Sequence, residues 1–190
     1  VLAADKQGYV TAAASQLGAS KVVVVASEAL LCSESCVEEP ETRRFVRQSV
    51  MWLGRGGGSG GVMRICCVRA KATASLLQYA GVGQVTATDT LPADLRSYQV
   101  LVLGEASKLL SDSGVCSRVQ RALESGTGVM MAGSGAAWAA QAGRPWYVHP
   151  ANVVLSPFGI QLGQHVAQSF AYAAFHVNPR NHCSLYDELV

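Results

Sequence analysis

Four short runs of continuous apolar residues constrain the fold of this chain more than any other feature of its sequence. They are Val22–Val25, Ile65–Val68, Val100–Leu103 and Val129–Met131. A strand with one face in water alternates apolar and polar residues, whereas a strand buried on both faces is apolar throughout. Segments with helical periodicity separate the later runs, which is typical of a parallel sheet covered by helices on both faces. We therefore predict buried, mostly parallel strands in a doubly wound α/β domain.

The part of the chain before Ile65–Val68 contains a predicted strand hairpin and a predicted helix. The hairpin consists of Tyr9–Ala14 and Lys21–Ala26, and the polar segment that follows it is predicted to be a loop. The helix Glu41–Leu53 follows Pro40, which suits a first helical turn. One face of this helix is apolar. A basic cluster on another face is a candidate partner-binding surface, although such clusters are more often simply solvated: Arg43, Arg44 and Arg47.

The sequence divides into four parts. Residues 1–53 form the leading hairpin and helix, which belong either to the same sheet or to the end of a preceding unit. Residues 54–61 are Gly-rich and are predicted to form a flexible connector. Residues 62–165 form the predicted core, and residues 166–190 a C-terminal extension of unassigned role. Since the chain opens without Met, we expect it to be part of a longer protein.

Composition excludes several classes of function. The hydrophobic share of 49% and the charged share of 15% are typical of a globular domain with a substantial core. A net charge of +2 is too small to indicate nucleic acid or an anionic membrane as the partner. No apolar run approaches the length of a membrane span, so we expect no direct membrane insertion.

The cysteines indicate a reducing, intracellular environment more than a disulfide framework. There are six, and none forms a C-x-x-C pair. Cys66 and Cys67 lie inside a predicted strand, where buried thiols behave as small hydrophobic groups. Cys32 and Cys36 could form a cross-link or bind a metal, but no second ligand pair of suitable spacing follows them. We predict no metal site and no cofactor.

The stretch GVMMAGSGAAWAA contains the strongest candidate for a catalytic group. In a parallel sheet, ligands bind at the carboxyl ends of strands, so a site would lie in the loops after Val68, Leu103 and Ala132. Ser134 follows the last of these strands and has glycine on either side. This context resembles the strained strand-to-helix turn that presents a nucleophilic serine.

Ser134 nevertheless lacks the partners that would activate it. A nucleophilic serine needs a base, and the base needs an orienting carboxylate. Every histidine lies downstream of Ser134, and the only acids that follow it come after all four histidines. We expect these histidines to reach Ser134 only if the C-terminal tail folds back over the strand ends. The histidines are His149, His165, His176 and His182, and the acids are Asp187 and Glu188.

Four segments, taken in order, resemble one known family. They are YVTAAASQLGASKVVVVASEALL, FVRQSVMWL, VQRALESGTGVMMAGSGAAWAAQ and PANVVLSPFGIQL. Together they are similar to the amino-terminal, glutamine-amidotransferase-like region of the transient-receptor-potential channel-associated factors, which belong to the M60-like peptidase family. The resemblance covers most of residues 8–163. It departs from the family at the basic hairpin, which reads GASK here, and the metallopeptidase-like region is absent.

The resemblance implies a three-layer, flavodoxin-like domain that has lost amidotransferase chemistry. An active member of the class would carry a G-x-C-x-G elbow and a later His-x-Glu, and this chain has neither. Gly133, Ser134 and Gly135 would then be a structural turn, in which the two glycines permit positive φ. Trp138 would pack the following helix. We expect neither a catalytic group nor a peptidase role.

Three functions follow from this interpretation. The first is a non-catalytic protein-interaction module of a larger cytosolic protein, because the family's best-known role is to bind a cation channel and to control its activity and surface delivery. The second is a structural subunit of a large cytoskeletal assembly such as a ciliary axoneme. The third is a hydrolase or amidotransferase that uses Ser134 or a cysteine. The expected location is cytoplasmic, at a membrane through a partner, or ciliary, and no nucleic acid is expected as a partner.

Overall fold

The structure is a computed structural model that describes residues 2–4, 10–55 and 61–164. Several sequence predictions lie outside these residues. They concern most of the Gly-rich connector, the extension 166–190, and the residues His165, His176, His182, Asp187 and Glu188.

Seven strands form one sheet in the order β1-β2-β3-β7-β6-β4-β5. The sheet therefore includes strands from both sides of the Gly-rich segment. The run from β3 to β5 is parallel throughout, while β1 and β2 are antiparallel to their neighbours. The prediction of buried, mostly parallel strands is confirmed. The strands are β1 Ala3–Ala4, β2 Val10–Leu17, β3 Ser20–Val25, β4 Arg64–Val68, β5 Gln84–Thr88, β6 Val100–Leu103 and β7 Gly128–Ala132.

The order of the parallel strands makes the domain flavodoxin-like. Counted from β4, the strands lie in the order second, first, third, fourth, and β3 occupies the fifth position beside β7. The fifth strand of this arrangement thus comes from the beginning of the chain rather than from its end. The strand order reverses between β4 and β6, and this reversal is where a doubly wound sheet opens a crevice for ligands.

Eight α-helices lie among the described residues, and they correct one sequence prediction. The polar segment after β3 is not a loop, since it contains the first two helices. Leu30 and Leu31 in the first helix are buried, and helical hydrogen bonds satisfy the backbone that must be buried with them. The helices are α1 Ala29–Cys32, α2 Glu34–Glu38, α3 Pro40–Gly54, α4 Lys71–Tyr79, α5 Ala106–Leu109, α6 Ser113–Glu124, α7 Gly135–Ala142 and α8 Pro150–Leu155.

Alternate residues of β3, β4, β6 and β7 face two separate cores, which gives the domain three layers. In β3, Val23 and Val25 belong to the core under α1, α3 and α4. Val22 and Val24 belong to the core under α6 and α8. Both faces of the sheet are covered in this way, which explains why the strands are apolar without alternation.

Helix α3 packs as its periodicity predicts. Phe45, Val46 and Val50 are buried against the sheet. Its last turn is held by Lys21 of β3, whose Nζ donates hydrogen bonds to the carbonyl oxygens of Trp52 at 3.0 Å and Arg55 at 2.5 Å. A cation at this end of a helix satisfies carbonyl groups that have no partner within the helix. The leading hairpin is therefore tied directly to α3.

Candidate functional site

The crevice between β4 and β6 is filled by protein atoms. Arg69 follows β4 with φ of +52°, and it is the only non-glycine residue in the described part of the chain with positive φ. Gly104 follows β6, and a Cβ there would collide with the carbonyl oxygen of Arg69 and lie 2.7 Å from Sγ of Cys32. The two strand ends and α1 are thus in direct contact where this fold normally accepts a ligand, and we call this contact the closed crevice.

Polar contacts hold this closed crevice together. Nη1 of Arg69 lies 2.9 Å from Oε2 of Glu105, and Nε donates to the carbonyl oxygen of Asp89 at 3.1 Å. Sγ of Cys32 donates to the carbonyl oxygen of Arg69 at 3.4 Å. The hydroxyl of Ser107 donates to Oε1 of Glu28 at 3.0 Å. The sequence predicts a site in the loops after Val68 and Leu103, but no pattern in it indicates that Cys32 contributes to this site.

The thiol of Cys32 is a poor nucleophile in this setting. Burial, assisted by the carboxylates of Glu28 and Glu105, raises its pKa to about 11. Burial also raises the pKa of Cys66 to about 11 and that of Cys67 to about 12. The reactive form of cysteine is the thiolate, so these side chains stay protonated and weakly reactive near neutral pH.

Ser134 caps helix α7. Its Oγ accepts a hydrogen bond from the backbone N–H of Ala137 at 3.3 Å. Gly135 is buried, and a Cβ there would collide with the carbonyl oxygen of Gly163 and lie 3.1 Å from that of Leu162. The expectation of positive φ at Gly133 and Gly135 is wrong, because neither is among the glycines with positive φ. Crowding, rather than backbone handedness, requires a glycine at position 135.

One histidine, His149, lies beside the turn at Gly133. His149 is fully buried at the start of α8, and its Nδ1 accepts a hydrogen bond from the N–H of Ala151 at 3.1 Å. A Cβ on Gly133 would lie 3.7 Å from its Nε2. The ring of Trp138 packs against it with 5.1 Å between centroids. The position of α8 in the fold brings His149 next to the turn. No local pattern in the sequence indicates this contact.

His149 is nevertheless not placed to act as a base for Ser134. Since its Nδ1 accepts from a backbone N–H, the neutral ring carries its proton on Nε2. That N–H has no hydrogen-bond partner among the described residues, so it is not bonded to Ser134. Burial lowers the pKa of His149 to about 4. The arrangement supplies a neutral, buried cap and no proton acceptor for the serine.

A cavity of about 210 Å³ lies beside the same turn. It is bounded by β2, by Ser134 and Gly135, and by the segment 160–163. Thr11 lines it, and the hydroxyl of Thr11 has no hydrogen-bond partner in the part of the chain that is described. None of the residues that line this cavity is charged. The exposed face of α3, in contrast, carries arginines.

The three arginines singled out in the sequence are exposed on α3, and they border a groove between α3 and α4. The groove has a volume of about 660 Å³. Its apolar part includes Met51, which is 40% exposed, and Tyr79, which is 91% exposed. We call this surface the α3–α4 groove; its residues are Arg43, Arg44, Arg47, Gln48, Met51, Arg55, Leu76, Tyr79 and Ala80.

Residues 2–4, 10–55 and 61–164 contain neither a cluster of metal ligands nor a membrane-spanning helix. No group of three or more His, Cys, Asp or Glu side chains there could hold a metal ion. None of the helices described is long and apolar enough to cross a membrane.

Comparison with known proteins gives one family and one group of structures. The model of the TCAF_N family, described as the TRPM8 N-terminal domain, matches residues 1–177. No curated protein matches the chain significantly in sequence.

The structural neighbours are forms of the IMPa metallopeptidase from Pseudomonas aeruginosa. Its complex with an O-glycopeptide superposes with a TM-score of 0.56 at 16% identity, over 90% of this chain and 18% of that one. A second structure of the peptidase gives a TM-score of 0.55 at 16% identity, over 86% of this chain and 18% of that one. The chain therefore spans less than a fifth of these peptidases, and the likeness shows a shared fold.

Proposed function

We propose that this chain, which belongs to the TCAF_N family, is a non-catalytic interaction module of a longer protein. The description of the family names TRPM8, and we propose that the module binds this channel. Binding would take place on the cytoplasmic side of the membrane, with the channel as the link to the membrane. The module would regulate the channel through contact rather than through chemistry.

The closed crevice is the observation that carries this proposal. A flavodoxin-like fold accepts a ligand where its strand order reverses, and here Arg69, Gly104 and Cys32 meet at that position. The two candidate nucleophiles lack activation as well, since burial keeps the thiol of Cys32 protonated and Ser134 is engaged as a helix cap. The peptidase activity of the structural neighbours supports no different proposal, because a shared fold does not imply a shared reaction.

Direct binding tests the proposal. The purified chain would be titrated against the purified cytoplasmic region of TRPM8, and we expect saturable binding that is lost when the chain is unfolded. A flavodoxin-like domain from an unrelated protein serves as the control for fold and size. Absence of saturable binding would contradict the channel-binding part of the proposal.

A covalent probe tests the non-catalytic part separately. We expect a serine-directed fluorophosphonate to leave Ser134 unlabelled, because no side chain among the described residues hydrogen-bonds to its hydroxyl. Stoichiometric labelling that Ser134→Ala abolishes, with the fold intact, would instead show an activated serine. The Ser134→Ala variant should be checked for stability, since loss of an N-cap costs about 0.5–2 kcal/mol.

A further inference from the structure

The α3–α4 groove combines basic and apolar groups in one concave surface. Arg43 and Arg47 are exposed on α3, and neither forms an ion pair with another residue in the described part of the chain. Tyr79 stands across the groove on α4 and is almost fully exposed. Large aromatic side chains that are left in water beside arginines are typical of surfaces that bind other proteins.

These exposed side chains lie outside the core of the domain. Phe45, Val46 and Val50 of α3 provide the contacts with the sheet, and they lie on a different face of the helix. Leu77 of α4 is buried, whereas Tyr79 is 91% exposed. Burial in the core therefore does not explain why an aromatic residue occupies position 79.

The distribution of charge along the groove indicates what it binds. Four arginines line the α3–α4 groove, and no acidic residue does. A neighbouring depression of about 420 Å³ shares Arg43, Leu76 and Tyr79 with the groove and adds Glu34 and Glu38 of α2. One end of the combined surface is thus basic, and the other carries acids.

We propose that the α3–α4 groove binds an acidic, amphipathic helical segment of the partner protein. Its carboxylates would pair with Arg43 and Arg47, and its apolar face would cover Met51 and Tyr79. This inference rests on the proposed function, because it assigns the surface through which the interaction module contacts its partner. An anionic membrane fits the surface less well, since the groove is concave and Glu34 and Glu38 border it.

Charge reversal tests the groove directly. We expect the full chain with Arg43→Glu and Arg47→Glu to bind the cytoplasmic region of TRPM8 about tenfold or more weakly, with a smaller dependence on salt. The matched control reverses Arg96 and Arg144, which are exposed elsewhere, and should leave the affinity unchanged. Both double variants should retain the unfolding midpoint of the unchanged chain. If the two double variants bind TRPM8 with equal affinity, the α3–α4 groove is not the binding surface, whereas the proposal that the chain binds the channel is unaffected.

A synthetic peptide tests the chemistry of the occupant without the channel. The probe is a helical peptide with glutamates on one face and leucines on the other, compared with the same peptide carrying lysines in place of the glutamates. We expect binding of the glutamate peptide alone, weakened by Arg43→Glu with Arg47→Glu and by Tyr79→Ser. If the affinity for the peptide does not depend on the peptide charge, or is the same in the variants, the proposal is contradicted. This holds for any outcome of the channel experiment.

Vesicles distinguish a membrane from a protein partner. We expect the chain not to sediment with vesicles that contain phosphatidylserine. Sedimentation that the double variant of Arg43 and Arg47 abolishes, and that the control variant retains, would identify the groove as a lipid-binding surface. That result would overturn the assignment of an acidic protein segment.

Discussion

At the scale of single residues, His149 makes the stability of the domain depend on pH. Burial lowers its pKa from 6.5 to about 4 in the folded chain. Between these two values the unfolded chain binds a proton that the folded chain does not, so the free energy of unfolding falls as the pH drops. We expect His149 to account for a loss of about 2 kcal/mol between pH 7 and pH 5.

The variant His149→Asn provides the test of this dependence. Asparagine is a good N-cap and can accept from the N–H of Ala151, but it does not titrate. We expect the variant to be less stable at neutral pH, because it leaves space beside Trp138, and to lose less stability on acidification. Urea denaturation at pH 7 and pH 5 measures both. Parallel losses in the two proteins would show that His149 does not titrate in this range.

At the scale of secondary-structure elements, α3 joins the core to the proposed binding surface. Phe45 is 4% exposed and packs in the core on one face of the sheet. Phe45→Ala should lower the free energy of unfolding by about 3–5 kcal/mol, because it leaves a cavity. Arg47→Ala on the exposed face should change it by no more than about 0.5 kcal/mol. Chemical denaturation measures the free energy of unfolding of both variants. A loss below about 1 kcal/mol for Phe45→Ala would mean that Phe45 is not buried in the core.

The elements also show where sequence reasoning succeeds and where it fails. The buried strands were predictable, because short, wholly apolar runs between helical segments are typical of strands covered on both faces. Helices α1 and α2 were missed, since each is too short to show helical periodicity within a polar segment. The sequence predicted where the crevice lies, at the ends of β4 and β6, but not which residues meet there. The contents of the crevice depend on Cys32 and Arg69, which meet through the fold, and no local pattern marks Arg69 for a positive φ.

At the scale of the whole molecule, the sheet depends on contacts between distant parts of the chain. Val22 pairs with Val129, and Val25 pairs with Ala132. A chain ending at Glu124 would retain β3 and β6 without the strand between them. We expect this truncated chain to show no cooperative unfolding transition by circular dichroism, whereas the full chain does. A cooperative transition in the truncated chain would mean that the first six strands fold independently of β7.

The origin of the fifth parallel strand has a consequence for how the protein is made. Strand β3 leaves the ribosome before its partner β7, which follows more than a hundred residues later. During synthesis, the Val-rich edge of β3 therefore stays unpaired until most of the domain has emerged. An exposed strand edge of this kind can pair with other chains. The nascent protein would thus depend on chaperones for longer than one whose central strands are made consecutively.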